Sequence, residues 1–236
     1  MPSVAVVEHQ ESCPPALLGE WLQAEGVDLE VVRPYAGDDL PDLTSYDGVL
    51  VLGGEMSAND DDTVAWLAPL KQQLRKVVPA GVPTLGVCLG HQLLGVALGG
   101  VVEKNPRGQT VGLQPIGWEA SGPDPLYGDL SGVRAIHWNG DVITRVPEGA
   151  TVLARTGDGA PQVVRFAERA WGVQAHPEAD VDVVRRWAQS DREDHVRLGI
   201  DQDGALDAIA AARDELERHW RPVAARFAAL VGGVTR

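Results

Sequence analysis

Short apolar runs rich in β-branched residues alternate with amphipathic segments over the first hundred residues. The amphipathic segments place apolar side chains three or four positions apart, which indicates helices, whereas runs of four or five apolar residues indicate strands. A strand that is apolar on both faces is typical of a parallel sheet covered by helices. We therefore predict strands over 4–7, 29–32, 48–52 and 84–87, and helices over 15–24, 65–78 and 89–98.

The pattern changes after residue 100, where the strand candidates become short and are separated by Gly, Pro and Asp turns. We predict antiparallel additions to the sheet over 111–116, 133–137, 151–155, 162–166 and 171–174. Helical periodicity returns later, and predicts helices over 181–189, 205–212 and 214–230. The prediction is an α/β fold with a mixed, mainly parallel central sheet flanked by helices. We expect a main domain over 1–190 and a helical C-terminal extension over 191–236 that packs on it.

Composition narrows the choice of partners. The chain has 236 residues and a formal net charge of -14, which disfavours a nucleic acid partner because such binding requires neutralised phosphates. No apolar run approaches the roughly 20 residues that span a bilayer. The N-terminal segment has no basic leader and only two cysteines occur, Cys13 and Cys88. We therefore expect a cytoplasmic protein with reduced thiols, no membrane association and no disulfide.

The strongest local signal surrounds Cys88, between an apolar strand that ends at Val87 and an apolar helix that begins at Leu89. Glycines two residues before and two residues after the cysteine allow the tight turn of a nucleophile elbow. A sulfur at a helix N-terminus faces free N–H groups and the positive end of the dipole, which favours the thiolate. The Leu89 N–H is then placed to stabilise an oxyanion. Gln92 lies one helical turn after the cysteine, on the same face, and its carboxamide suits a polar substrate.

A second signal lies at His176-Pro177-Glu178, which follows another apolar strand. In an extended chain, residues two apart point the same way, so the imidazole and the carboxylate leave the backbone on one side. A carboxylate that fixes the tautomer of the ring leaves the other ring nitrogen free to act on a thiol. Cys88, His176 and Glu178 are therefore predicted to form a catalytic triad.

Together these segments resemble those of class I, or triad, glutamine amidotransferases, whose pattern is Gly-x-Cys-x-Gly-x-Gln followed far downstream by His-Pro-Glu. The resemblance covers about residues 1–190 and is nearest to the glutaminase domain of GMP synthase and to stand-alone GMP-synthase-like proteins. It implies a flavodoxin-like fold. It also implies that glutamine is hydrolysed at its side-chain amide through a thioester, with release of ammonia and with no cofactor or metal.

The resemblance also assigns residues outside the triad. Gly54, in the turn after the third strand, matches the donor of the second oxyanion N–H. Asp141 matches the acid that meets the α-amino group of bound glutamine. Asn139 stands where the family usually has a histidine. Gln92, Asn139 and Asp141 together form the predicted substrate site.

Two alternatives to a glutaminase stay open. No synthetase motif is visible, so a glutaminase of this kind passes its ammonia to a separate synthetase partner or acts alone. The first alternative is a stand-alone hydrolase of γ-glutamyl amides or peptides. The other alternative is a catalytically quiet ligand-binding or regulatory module.

The acidic run over 59–62 is interpreted as a helix cap before residues 63–66, not as a metal site.

Overall fold

A computed structural model describes residues 1–233. Its eleven strands are β1 (Ser3–Val7), β2 (Asp28–Val32), β3 (Gly48–Val51), β4 (Thr84–Val87), β5 (Val101–Lys104), β6 (Thr110–Pro115), β7 (Arg134–Asn139), β8 (Asp141–Arg145), β9 (Thr151–Arg155), β10 (Pro161–Ala167) and β11 (Ala170–Val173). The α-helices within the described residues are α1 (Ala16–Ala24), α2 (Leu67–Val77), α3 (Leu89–Ala97), α4 (Val181–Ser190), α5 (Arg192–Leu198), α6 (Gln202–Ala211) and α7 (Arg213–Gly232).

A seven-stranded sheet in the order β2-β1-β3-β4-β11-β10-β9 forms the centre of the molecule. The pairings from β2 to β11 are parallel, and β10 and β9 continue the sheet antiparallel. The predicted mixed, mainly parallel α/β sheet is thus confirmed.

Not every late strand extends this sheet as predicted. β6 pairs only with β7, and β5 pairs with β8, in two separate two-stranded ribbons. β11 enters the main sheet parallel to β4 and antiparallel to β10. The prediction of antiparallel additions is therefore correct for β9 and β10 only, because strand pairing depends on contacts distant in sequence that a local pattern does not encode.

Alternate residues of the central strands feed two hydrophobic cores, one on each face of the sheet. Val4 and Val6 of β1 face a core that includes residues of α1 and α7, whereas Ala5 and Val7 face a core that includes residues of α2 and α3. This two-sided burial explains why the first strands are unbroken apolar runs.

Of the helices after residue 190, α7 packs on the main sheet, whereas α6 contacts β6 and α5 contacts α4. Trp220 and Phe227 of α7 are buried in the same core as β1. The division into 1–190 and 191–236 remains a prediction, and its last three residues, 234–236, lie outside the described part. Across residues 1–233, no helix combines the length and the apolar character needed to cross a bilayer.

Candidate active site

Three neighbouring parallel strands, β3, β4 and β11, end at the same edge of the sheet. Gly53 and Gly54 follow the first, Cys88 follows the second, and His176 and Glu178 follow the third. Ligands of open α/β sheets bind at this carboxyl edge. The sheet order therefore brings together segments that are far apart in the sequence, since Gly53 and Glu178 are separated by 125 positions.

Cys88 occupies a strained elbow between β4 and α3. Its φ of 50° and ψ of -105° lie where residues other than glycine are rare. The strain is held by the Cys88 N–H, which donates to the Val173 carbonyl at 2.8 Å, and by the Gly90 N–H, which donates to the Leu52 carbonyl at 3.1 Å. A methyl group on Gly90 would lie 2.0 Å from the Val51 carbonyl oxygen. The elbow predicted from the glycine spacing is therefore the conformation of this turn.

The imidazole of His176 is bonded to the carboxylate of Glu178. The distance from Nδ1 to Oε1 is 2.7 Å, and both side chains are buried, at 3% and 2% exposure. The segment is a turn and not the extended chain that was predicted, since β11 already ends at Val173. The turn still brings the two side chains together, because the His176 N–H is anchored to the Ile136 carbonyl at 2.8 Å.

The ring of His176 and Cys88 approach the same point of the turn after β3. A methyl group on Gly53 would lie 3.2 Å from His176 Cε1 and 3.6 Å from Cys88 Cβ. Within the described chain, the buried Nε2 atom of His176 has no hydrogen-bond partner of ordinary geometry. Glycine at position 53 thus leaves room for the ring and the cysteine side by side.

The surroundings of His176 favour its protonated form. Burial by itself lowers the pKa of the imidazole, but the neighbouring Cys88 and Glu178 outweigh burial and hold that pKa well above its usual value. The reasons are the electrostatic attraction of Cys88 and Glu178 and the hydrogen bond between Nδ1 and the Glu178 carboxylate. The site therefore favours an imidazolium at His176, beside Cys88 and Glu178.

The two predicted oxyanion donors lie beside the elbow. Leu89 is the first residue of α3, so its N–H has no carbonyl partner within the helix. Gly54 borders the same cavity as Cys88, and a methyl group on Gly54 would lie 2.9 Å from Leu89 Cδ2. Both N–H groups belong to segments that meet at the sulfur, but their role in catalysis stays a prediction.

The predicted substrate residues also border this cavity. Gln92 donates from Nε2 to the Asp141 backbone oxygen at 3.0 Å, and Asn139 donates from Nδ2 to the same oxygen at 3.1 Å. The Asp141 carboxylate forms an ion pair of 2.8 Å with Lys104, an exposed side chain at the end of β5. A cation therefore already sits against the carboxylate that was predicted to receive the α-amino group.

Several residues of the site were not predicted from the sequence. The Gln174 Nε2 atom lies 3.7 Å from Cys88 Sγ, and the ring of Trp187 packs 4.5 Å from that of His176. Cys13 is a free, buried thiol on the wall of the cavity, and burial, followed by the charges of the triad, raises its pKa. Gln174 lies two residues before His176, a spacing that could have drawn attention to it. Nothing local in the sequence marks Trp187 or Cys13, because their contacts are distant in sequence.

The cavity has a volume of about 470 Å³, which lies within the range of small-molecule sites. Its wall combines the triad region with residues from the β1–α1 loop, the β7–β8 turn and the end of α4. The residues that line it are Gln10, Ser12, Cys13, Gly54, Glu55, Met56, Cys88, Gln92, Lys104, Gln109, Trp138, Asn139, Gly140, Asp141, His176, Arg186, Trp187, Ser190, Asp191 and Asp194.

The acidic run over 59–62 does not cap a helix as predicted. α2 begins at Leu67, and its N-cap residue makes no side-chain capping bond. Asp61 instead pairs with the buried Lys71 at 2.7 Å, and Asp60 accepts the Ser57 N–H at 2.7 Å. In the described part of the chain, no group of three or more His, Cys, Asp or Glu residues is arranged to hold a metal ion.

Comparison with known proteins now identifies the family. Residues 16–184 match the model of the class-I glutamine amidotransferase family. The chain belongs to this family. The match places the protein among cysteine-dependent enzymes that hydrolyse amides.

Individual relatives of this amidotransferase differ in their named activities. It is 27% identical to γ-glutamyl peptidase 5 of Arabidopsis thaliana, over 86% of this chain and 82% of the relative. It is 30% identical to a glutamine-hydrolysing GMP synthase subunit from Saccharolobus solfataricus, over 65% of this chain and 77% of the relative. The solved glutamine amidotransferase from Methylobacillus flagellatus matches 100% of this chain and 96% of its own, with a TM-score of 0.86 and 27% identity.

Part of the cavity wall of this amidotransferase lies beyond the matched segment. Arg186, Trp187, Ser190, Asp191 and Asp194 all follow residue 184, where the family match ends. Asp191 accepts a hydrogen bond of 2.8 Å from the indole of Trp138, which ties this wall to β7. The wall that the family pattern does not describe is therefore firmly attached to the site.

Proposed function

We propose that this amidotransferase hydrolyses the side-chain amide of L-glutamine, with Cys88 as nucleophile, His176 as base and Glu178 as the carboxylate that orients the ring. One observation carries the proposal. The imidazole is bonded to the carboxylate at 2.7 Å through Nδ1, while its buried Nε2 has no partner of ordinary geometry in the described residues and lies near a cysteine in a strained elbow. This is the arrangement that nucleophilic catalysis requires.

The reaction follows from these roles. His176 takes the proton of Cys88, and the thiolate attacks the amide carbon of the substrate, with the negative charge moving to the amide oxygen. The N–H groups of Leu89 and Gly54 stabilise this oxyanion. His176 then protonates the leaving nitrogen, ammonia departs and a thioester remains. A water molecule, deprotonated by His176, attacks the thioester, so that glutamate leaves and the thiol is restored.

Asp141, Asn139 and Gln92 form the site for the amino-acid end of the substrate. An α-ammonium group that binds the Asp141 carboxylate replaces Lys104, which holds that carboxylate at 2.8 Å in the free protein. The displaced lysine remains next to a substrate that also carries an α-carboxylate. Recognition of a zwitterionic amino acid by one acidic and one basic side chain is consistent with this exchange.

The fate of the ammonia is a further part of the proposal. A separate synthetase partner that receives it is supported by the similarity to the glutamine-hydrolysing GMP synthase subunit. Such a partner would meet the chain near the mouth of the cavity, and a cytoplasmic location for the pair remains a prediction.

A second candidate is the hydrolysis of larger γ-glutamyl amides or peptides by the same triad. The cavity of about 470 Å³ extends past the triad to Arg186, Ser190 and Asp194, which leaves a wall for a leaving group larger than ammonia. Similarity to a γ-glutamyl peptidase supports this candidate as well. The two candidates share their chemistry and differ only in the group that leaves.

The test compares glutamate release from glutamine and from γ-glutamyl amines and dipeptides by the purified chain, with and without cell extract. We expect Cys88→Ala to abolish release and Cys13→Ala to retain most of it, since both are buried cysteines on one cavity but only the first lies in the elbow. Release by Cys88→Ala at the wild-type rate would refute the assignment of the nucleophile. Failure of a thiol-directed glutamine analogue to label Cys88 would favour the catalytically quiet module.

A further inference from the structure

A chain of side-chain amides runs from the β7–β8 turn to the sulfur of Cys88. The Gln92 Nε2 atom lies 3.0 Å from the Asp141 backbone oxygen and 3.1 Å from Gln174 Oε1. The Gln174 Nε2 atom lies 3.7 Å from Cys88 Sγ, a distance suited to a hydrogen bond to sulfur. The two glutamines are buried, at 3% and 0% exposure. A buried amide is thus held against the atom that the proposed function makes the nucleophile.

The direction of the hydrogen bonds between these amides is set at the Asp141 end. A backbone carbonyl can only accept, so the Gln92 side chain must turn its NH₂ group toward the Asp141 oxygen. The second N–H of the same NH₂ group needs an acceptor in the interior, and Gln174 supplies its Oε1 atom. The NH₂ group of Gln174 must then face Cys88. The orientation of both amides, which their shape alone leaves ambiguous, follows from one carbonyl.

We propose that Gln174 is a catalytic residue that donates an N–H to the sulfur of Cys88 and stabilises the thiolate over the thiol, with Gln92 as the positioning residue that keeps the donor aimed. The proposal rests on the proposed function, in which Cys88 reacts as a thiolate. A charged acceptor gains more from a hydrogen bond than a neutral thiol, which is a weak acceptor. The donor therefore acts selectively on the reactive form.

The same geometry limits what Gln92 does for the substrate. Both N–H bonds of its side chain are committed, one to Asp141 and one to Gln174. Only its Oε1 atom remains for a ligand, so Gln92 accepts hydrogen bonds from the substrate and does not donate. Gln92 and Gln174 thereby connect the β7–β8 turn at Asp141 to Cys88.

Other groups near the sulfur act on its charge and must be kept constant in a test. His176 and Glu178 approach from the end of β11, and Cys13 approaches from the β1–α1 loop. All three side chains are still present when Gln174 is replaced. Gln162, on the adjacent strand β10, offers a matched control, because it is a glutamine with 2% exposure whose Oε1 atom has no hydrogen-bond partner among the described residues.

The experiment measures the rate at which iodoacetamide alkylates Cys88 across pH, by mass spectrometry of the peptide that contains it. For Gln174→Met we expect alkylation at neutral pH to slow about tenfold and the pH midpoint to rise by about one unit, the loss of one hydrogen bond to a charged group. Gln174→Glu, which keeps the shape but places a carboxylate against the sulfur, should slow it further. Gln92→Met should have a smaller effect, since the released amide can still rotate toward the sulfur.

Gln162→Met should alkylate as the wild type does, which separates the specific donor from the general loss of a buried amide. Wild-type alkylation profiles in both Gln174→Met and Gln174→Glu would overturn the proposal. Gln174→Glu covers the case in which the methionine variant fails to fold. Alkylation needs no substrate, so this outcome is distinct from failure of the proposed function, which Cys88→Ala decides by glutamate release.

Discussion

Replacement of Glu178 by glutamine tests the triad with the smallest change of shape. The side chain keeps its size and loses its charge, in a pair with His176 that is 2.7 Å long and almost fully buried. A hydrogen bond to an ionised partner contributes about 1.5–3 kcal/mol, against about 0.5–1.5 kcal/mol for one between neutral groups, and each 1.36 kcal/mol is a tenfold change in rate. If the amide oxygen takes the place of the carboxylate oxygen, the bond is kept and only the difference of about 1–1.5 kcal/mol is lost, so kcat/KM for the preferred substrate should fall by about 5- to 13-fold.

The loss is larger if the new amide rotates. Its NH₂ group would then face Nδ1, the ring would carry its proton on Nε2, and the base would be blocked on the side of Cys88. The same change in a Ser-His-Asp triad lowers the rate by about ten-thousandfold through the wrong tautomer. The size of the loss therefore reports which way the amide points.

The pH profile gives an independent readout. Glu178 is one cause of the raised pKa of His176, so its neutralisation lowers that pKa. The imidazolium form is then lost at a lower pH, and the alkaline limb of kcat/KM moves down. Glu55→Gln is the matched control, because Glu55 is an exposed glutamate on the same cavity. Equal profiles for wild type and Glu178→Gln, or equal losses in the two variants, would refute the reasoning.

Further predictions concern folding. Gly90→Ala places a methyl group 2.0 Å from the Val51 carbonyl oxygen and should abolish both the elbow and the alkylation of Cys88. Gly157→Ala is the control: its methyl group meets nothing within 4 Å, so the melting temperature should not change. Phe227→Ala should lower the free energy of unfolding by about 3–5 kcal/mol in urea titrations, because Phe227 is fully buried, whereas Val196→Ala, at a site 75% exposed, should change it little. Burial lowers the pKa of three histidines to about 3 or 4, below their pKa in the unfolded chain. Between about pH 6 and 4 the unfolded chain therefore binds more protons than the folded chain does. Stability should fall by about 4 kcal/mol per pH unit on acidification through that range, and a flat urea-denaturation profile would contradict this. The three histidines are His9, His91 and His137.

Much of the fold could be predicted because its strongest signals are local. The strand over 84–87 and the helix that follows are encoded by unbroken apolar runs on either side of Cys88, and the structure places them there. β5 and β8 were not predicted because their outer residues are polar, as at Lys104 and Arg145, and the runs are short. The charged helix α5 has no apolar stripe to reveal it.

The candidate site was predictable only as far as motifs reach. The glycine spacing and His-Pro-Glu lead to the proposed triad residues, since each motif carries its geometry within a few positions. The partners of those residues come from other elements, as when Trp187 of α4 packs on His176 and donates its indole N–H to the Ser12 carbonyl at 2.8 Å. Such contacts depend on how α4 docks, which no pattern within the helix specifies.

The order of strands in the sheet explains how the proposed base can lie near the proposed nucleophile although the two are distant in sequence. β4 lies between β3 and β11, so the cysteine at its end has the Gly53-Gly54 turn on one side and His176 on the other. The elbow turns Cys88 up between them, and the Cys88 N–H is bonded to the Val173 carbonyl at the end of β11. That bond joins the strained turn to the strand that leads into His176. A change in the pairing of β4 with β11 would therefore disturb Cys88 and His176 together, because both residues lie just beyond the ends of these two paired strands.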